Sequence, residues 1–535
     1  MFEPTDEQRS IIEGEGSAIV IAGPGRGKTA TAIAAARSWL LRNPGPSRVL
    51  FTSFSNAAVR RIAAAAGVDH VGLERRLQFR TIHSLAMEIL RDFGRFVGLR
   101  KPARAIDRTE EGIIAAERNW DAANEAAYQS ALKCLAREEG RVAFELMVPL
   151  AFALLRASPT VRLAIGRRFP FIVVDEFQDT RPEQWEFLKL AGETSRVLAL
   201  GDPDQMIYEH QHCAALQRVS DFQSWKGVKP TRFDGANFRC RVPAIVDFAE
   251  SLLHGRLNVP TGTRGLQLFS AFPNQRRASL AAIWTAIRRH GGDDSTIAFI
   301  VPSGNTARQL AAELRQPPRT AAVPVPIHAH IERDEGDLDA FRLAACAAAD
   351  WISTRQDTAL KTLAVSLAVF SSAWSRKGAS SGRIDAIIKR IRPGGRARSP
   401  LRAYLTDTVP EPFQTFADGL LSALEADSEF ASGGAALRRH GLPSMMGVSI
   451  GQGSLFDGYR QIRAAAGLEG TTLSRAKTTI VSMYKSKGRE FDFVVLVVEP
   501  RAHSTKATVD ELRRLYYVSA TRAAYSGGIW AGIPI

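Results

Sequence analysis

An apolar strand that runs straight into a glycine-rich turn and then into an alanine-rich helix leaves a chain few folds to choose from. Here the run is IVIAGPGRGKTATA, Ile19 to Ala32. Ala18 to Ala22 read as a strand, and Thr29 to about Leu41 as a helix. Strand, loop and helix in that order are the setting a phosphate-binding loop requires. Gly23, Gly25 and Gly27 let backbone N–H groups converge on phosphate oxygens at the helix N-terminus. Lys28 is placed for the β- and γ-phosphates, and the Thr29 hydroxyl for a Mg²⁺ shell. Ala22 stands where the strict pattern has glycine, so the loop fits the relaxed form.

A second run, FIVVDEFQDT (Phe171 to Thr180), supplies the matching acids. Four buried-strand residues end in Asp175 and Glu176, where an open parallel sheet places its ligands. Asp175 suits Mg²⁺, which takes a carboxylate or two together with phosphate oxygens. Glu176 is expected to orient or deprotonate an attacking water. An acid pair after an apolar run is by itself often a solvated strand end. The upstream loop makes a Mg²⁺-dependent ATPase the reading to expect.

With these residues in place, the chain resembles the UvrD/Rep/PcrA class of superfamily 1 DNA helicases, and the motifs follow in order from end to end. PTDEQRSII resembles the adenine-reading motif, with Gln8 as reader, although Thr5-x-x-Gln8 is also a capping box that starts a helix. FTSFSNAAVRRI resembles the motif that lays single-stranded DNA on the first lobe, through Phe54 and Asn56. TIHSLA, with His83 and Ser84, resembles the next DNA-facing motif. LALGDPDQMIY resembles the sensor motif, which implies a γ-phosphate contact for Gln205 and a DNA-facing Tyr208. ANFRCRVPAI implies a second γ-phosphate contact, Arg239. VSMYKSKGREFDFVVL resembles the motif that binds DNA and the ribose, with Ser482 on the DNA side and Gly488 and Glu490 the nearest matches. RRLYYVSATRAA is a near-complete final motif, with Arg522 as arginine finger.

The departures fall on the DNA side. His210 and Gln211 stand where the family has an aromatic residue and an arginine, Tyr484 replaces a histidine and Arg489 a leucine. Arg26 takes the place of the usual phosphate-loop serine. His210 remains the DNA-binding candidate at its position, with weaker stacking expected.

The resemblance implies an α/β fold of two RecA-like P-loop lobes, each interrupted by a mainly helical insertion. The expected boundaries are 1–90 and 165–260 for the first lobe, with 91–164 as its insertion. Residues 261–350 and 468–535 form the second lobe, and 351–467 its insertion. Trp120 and Tyr128 are the expected anchors of the first insertion. The basic run KRIRPGGRARSPLR, Lys389 to Arg402, reads equally as a nucleic-acid contact and as a solvated loop. The chain ends soon after Arg522, so no appended nuclease domain is expected within it.

Composition narrows the partners. A net charge of +15 favours a polyanion, because Lys and Arg on phosphates release counterions. Cys134, Cys213, Cys240 and Cys346 are scattered, which argues against a zinc site or disulfide framework and fits a reducing cytosol. No signal peptide or apolar run of membrane-spanning length is seen, so a cytoplasmic protein with no membrane partner is expected. The function to expect is an ATP- and Mg²⁺-dependent translocase or helicase on single-stranded or tailed DNA, moving 3′ to 5′. The alternative is an ATP-gated DNA-binding subunit that serves a separate nuclease, similar to the helicase partner in Gabija-type anti-phage defence.

Overall fold

The computed structural model describes residues 3–532 except 54–55, 67–73, 121–123, 208–214, 236, 241, 257–265, 272–275, 293, 316–326, 328–329, 332–334, 373–380, 395–398, 411, 432–433, 435–436, 438–446, 448–449, 451–454, 469–476 and 499–508. The chain divides into two compact units. One comprises Met1–Gly98, Met147–His330 and Ala476–Ile535, and the other Leu99–Leu146 and Ile331–Arg475.

The first unit contains two six-stranded sheets, the first of them parallel throughout. The first is built from β1 (Ala18–Ala22), β2 (Val49–Ser53) and β3 (Leu77–Thr81). After a helical excursion with two short strands, β4 (Arg104–Ile106) and β5 (Arg141–Ala143), it continues with β6 (Phe171–Val174), β7 (Arg196–Gly201) and β8 (Pro230–Phe233). The spatial order is β3-β2-β6-β7-β1-β8. Strands β2, β6 and β7 are buried at every position. Unbroken apolar runs such as FIVV are what a parallel sheet covered on both faces demands. The second sheet takes β9 (Leu266–Ala271), β10 (Ile297–Val301), β11 (His330–Ile331), β12 (Thr478–Ser482), β13 (Phe491–Val498) and β14 (Ala523–Gly532). Its order is β11-β12-β10-β13-β14-β9, parallel from β12 to β9. In register, Ile297 lies beside Thr478 on one side and Phe493 on the other.

Both sheets carry one-sided apolar helices. Ile33, Ala36 and Leu40 of helix Lys28–Arg42 pack with Val20, Phe51 and Phe171 of the first sheet. Phe248 of helix Pro243–Leu253 and Val518 of helix Val509–Ala520 pack with Ile300 and Leu496 of the second. An arginine pins the first helix, Asp6–Glu13, to the sheet. Arg196 is buried on β7 and donates to the carbonyls of Ile11 and Gly16, both at 3.0 Å. Its guanidinium lies 4.3 Å from the Phe171 ring centre, and burial lowers its pKa to about 10.

The second unit gathers the residues of both excursions around helices Glu335–Thr354 and Asp357–Ser372. Asp107 caps helix Arg108–Glu117 through the N–H groups of Thr109 and Glu110, each at 2.9 Å. Its other oxygen accepts from the Tyr459 hydroxyl at 3.2 Å and from Arg463 at 2.6 Å. Trp120 and Tyr128 meet edge to face at 5.9 Å. In the basic run, Arg390 pairs with buried Asp427 and Arg392 with Asp357, so these two cations serve the fold. Among the described residues no single helix is long and apolar enough to cross a membrane.

Candidate nucleotide site

The phosphate loop leaves β1 and turns into helix Lys28–Arg42 with Gly25 at φ 72° and Gly27 at φ 81°. Both lie in the left-handed region that side chains disfavour. A Cβ on Gly25 would stand 2.0 Å from Asn237 Oδ1, so glycine is required there on two grounds. The Lys28 ammonium donates to the carbonyls of Ala22 and of Gly23, the latter at 2.9 Å. Burial lowers its pKa, and Asp202, Glu176 and Asp175 oppose that shift. Gln8 caps the first helix and also reaches the phosphate loop. Its Oε1 accepts from Thr5 N–H at 3.1 Å, and its Nε2 donates to the Arg26 carbonyl at 3.3 Å.

Asp175 follows β6 and is buried, its N–H donating to the Thr52 carbonyl at 2.9 Å. Glu176 adopts φ 53°, a strained backbone for a non-glycine residue. Gln178 Nε2 donates to Glu176 at 2.7 Å. Across from them runs a relay of polar groups. Gln205 Nε2 donates to Asp202 at 2.7 Å, and Arg522 Nη2 donates to Gln205 Oε1 at 3.1 Å. Arg522 is buried and also donates through Nε to the Val518 carbonyl at 2.8 Å. Arg239 pairs with Glu490 at 2.8 Å.

A cavity of about 940 Å³ is lined by Gly23, Gly25, Gly27, Lys28, Thr29, Asp175, Glu176, Gln205, Arg239, Glu490 and Arg522. Eleven of the sequence-predicted nucleotide residues therefore share one space, and Gln8 is not among its lining residues. Exposed Phe238 and half-buried Arg37 extend the same cavity. Its volume lies within the range of small-molecule sites. The pairing of a hydroxyl on Thr29 with a carboxylate on Asp175 fits Mg²⁺, a hard cation that completes its shell with phosphate oxygens and water.

The contacts of three residues escaped sequence reasoning. Lys487, from the second sheet's side, pairs with Asp179 at 2.6 Å, donates to the Gln205 carbonyl at 2.5 Å and lies 3.9 Å from Glu176. Arg26 reaches Asp234 and Glu250, each at 3.7 Å, and so anchors the loop where a serine is usual. Asn237 contacts the loop directly, donating to the Pro24 carbonyl at 2.9 Å. Burial raises Asp179 to a pKa of about 7, with Lys487 opposing the shift. The folded value lies above the unfolded one, so the associated stability is present at acid pH and is lost as pH rises from about 4 through 7. Asp179→Asn should remove this slope. In urea titrations from pH 5 to pH 8 the wild type should lose stability relative to the variant, and the reverse slope would sink the argument.

The DNA-facing candidates divide differently. Phe54, Tyr208 and His210 lie outside the described residues. Asn56 begins helix Asn56–Ala65. His83 is half-buried near the start of helix Ile82–Phe93, and burial, then Arg181, lowers its pKa to about 4. Ser482 is buried, and its hydroxyl accepts from Lys485 N–H at 3.4 Å to cap a short helix, a structural task in this conformation. Tyr484 donates to Glu511 at 2.8 Å.

Two six-stranded sheets meeting at a phosphate loop, with an arginine reaching that loop's cavity from the second sheet, define a two-lobed P-loop protein of the RecA type. Residues 4–127 and 109–224 match the UvrD/REP helicase N-terminal domain. The first 224 residues are thus similar to the UvrD-like superfamily 1 helicases. The chain is 30% identical over 243 residues to the ATP-dependent DNA helicase PcrA of Leuconostoc citreum, covering 36% of this chain and 31% of that protein. It is 24% identical over 265 residues to the ATP-dependent DNA helicase Rep of Escherichia coli K12, covering 42% and 37% respectively. The match to the ATP-dependent DNA helicase UvrD1 of Mycobacterium leprae is 27% over 281 residues, covering 41% and 35%. The matched part thus spans about a third of the length of each of these curated relatives.

Proposed function

We propose that the chain is an ATP-driven motor on single-stranded DNA, moving 3′ to 5′. The observation that carries this reading is the reach of Arg522 and Glu490 from the second lobe into the cavity built on the first lobe's phosphate loop. A nucleotide held there touches both lobes, so its binding and hydrolysis change how they are joined.

Gly23, Gly25 and Gly27 would cradle the phosphates through backbone N–H groups, and Lys28 would leave its two carbonyl partners for the γ-phosphate. Mg²⁺, held by Thr29 and Asp175, would neutralise charge on the phosphate oxygens. Glu176 takes the proton of the attacking water. Gln205, Arg239 and Arg522 stabilise the charge that develops at the γ-phosphate. Glu490 would accept from the ribose, and the exposed ring of Phe238 offers the base a stacking face. The Lys487–Asp179 pair and the Arg522–Gln205 bond join the second lobe to residues beside the phosphate site, which links chemistry to lobe movement. DNA would lie on the first lobe, with Phe54, Asn56, His83 and Tyr208 as its contacts.

ATP hydrolysis measured with and without single-stranded DNA tests the reading. The wild type should be stimulated strongly by DNA, and Lys28→Ala should abolish turnover under both conditions. Hydrolysis indifferent to DNA would overturn the motor and favour a gated binding subunit.

A further inference from the structure

Strand β2 ends in two hydroxyl residues, Thr52 and Ser53, that are 0% and 1% exposed. Neither hydroxyl has a hydrogen-bond partner among the described residues. Burying a hydroxyl without a bond is costly, and native proteins rarely leave one so. Alternation along the strand sends the two side chains to opposite faces of the sheet. Val49 and Phe51 of β2 pack with Phe171 and Val173 of β6 and with Ile33 and Leu40 of helix Lys28–Arg42. Ser53 continues that face of β2, and Asp175 continues the same face just past the end of β6. Thr52 falls on the other face.

The two strands also agree in register. Thr52 lies beside Val174, and the Asp175 N–H donates to the Thr52 carbonyl at 2.9 Å. One step further along the ladder, Ser53 and Asp175 are neighbours. Adjacent strands stand about 4.8 Å apart, within the joint reach of a serine hydroxyl and an aspartate carboxylate. The helix that covers this face begins with Lys28 and Thr29, and Thr29 shares the cavity with Asp175. A carboxylate that takes a cation is as a rule hydrogen-bonded itself, which fixes its orientation. The Ser53 hydroxyl is a donor of the right kind, in the right place, with no other task.

We propose that Ser53 is a positioning residue for the Mg²⁺ site, its hydroxyl donating to the Asp175 carboxylate when that group takes the cation. The inference rests on the reading of Thr29 and Asp175 as the metal-holding pair. It adds a residue that does not line the cavity and touches neither nucleotide nor metal.

Mn²⁺ serves as the probe, its binding to the full chain in the presence of a non-hydrolysable ATP analogue followed by electron paramagnetic resonance. Ser53→Ala should weaken Mn²⁺ binding about 10-fold, the lower end of the losses seen when a ligand's supporting bond is removed. The analogue's own affinity in EDTA should not change. Because the hydroxyl makes no bond in the metal-free protein, its removal should not lower the metal-free melting temperature. Thr52→Val is the matched control, since it removes an equally buried, unbonded hydroxyl from the other face, and it should bind Mn²⁺ like the wild type. Undiminished Mn²⁺ binding by Ser53→Ala, equal losses in both variants, or a lower metal-free melting temperature for Ser53→Ala would each overturn the proposal. A wild type that takes up no Mn²⁺ with the analogue would instead overturn the metal–nucleotide reading beneath it.

Discussion

Replacing Arg522 with alanine is expected to lower ATP turnover by about 10³-fold or more while changing nucleotide affinity by less than about 10-fold. The guanidinium is already oriented, by Val518 through Nε and by Gln205 and Thr521 through Nη2. Such a group loses little freedom when charge develops beside it, so its contribution falls on the transition state more than on the bound nucleotide. Arg522→Lys should rescue little, since an ammonium cannot hold the Gln205 and Val518 contacts together as a planar fork does. Single-turnover hydrolysis with a parallel binding titration checks both halves. A fall in affinity that matches the fall in rate would mean that Arg522 acts in binding alone. A turnover loss below about 10-fold would remove it from the reaction.

The second large effect concerns stability. Asp427→Ala is expected to cost the second unit about 3–5 kcal/mol, the range for breaking a buried ion pair from one side. Asp427 is 0% exposed. Its oxygens accept from Arg390 at 2.7 Å, from the Ser399 hydroxyl at 2.6 Å and from Glu429 N–H at 3.1 Å. Ser399 in turn caps helix Pro400–Asp407 through Arg402 N–H at 3.2 Å. Alanine would leave the Arg390 cation and the Ser399 hydroxyl without their buried acceptor and would loosen that cap. Asp427→Asn, which keeps the shape and an acceptor, should cost less. Urea unfolding curves followed by far-UV circular dichroism measure both, and a loss below about 1 kcal/mol for alanine would place the pair among ordinary surface contacts.

Much of the fold could be read in the sequence because its signals are local. Runs such as FIVV and IAFIV, short and rich in β-branched residues, favour strands covered on both faces, and the glycines before Lys28 announce the turn into a helix. The capping box at Thr5 and Gln8 is present with both of its bonds. What stayed hidden depends on segments far apart in the chain. Asn237 stands beside Phe238 and Arg239 in a run that drew attention only to its aromatic and its arginine, and its partner Pro24 belongs to the opposite end of the first lobe. An asparagine able to close an Asx turn was a usable signal, but the turn does not say what the amide's other end will meet. Lys487 lies in KSKGREF, where Gly488 and Glu490 were the residues noticed, and only the packed sheets bring it to Asp179. Arg390 shows the converse: a cation in a basic run looks free until a buried carboxylate is found beneath it.

The division of the chain has a consequence for its biogenesis. The polypeptide passes between the two units four times, and residues 99–146 find their unit's other helices only within 331–475. Asp107, already the cap of its own helix, waits for Tyr459 and Arg463, which follow 352 and 356 residues later. At about 5–20 residues per second that delay is roughly 20–70 s. During this time the first sheet, whose last strand ends at Phe233, can close on the ribosome while the helical arm it carries remains without its partners. The first sheet is thus complete early, whereas the second gains β12 to β14 only after the partners of the arm between Leu99 and Leu146 have been made.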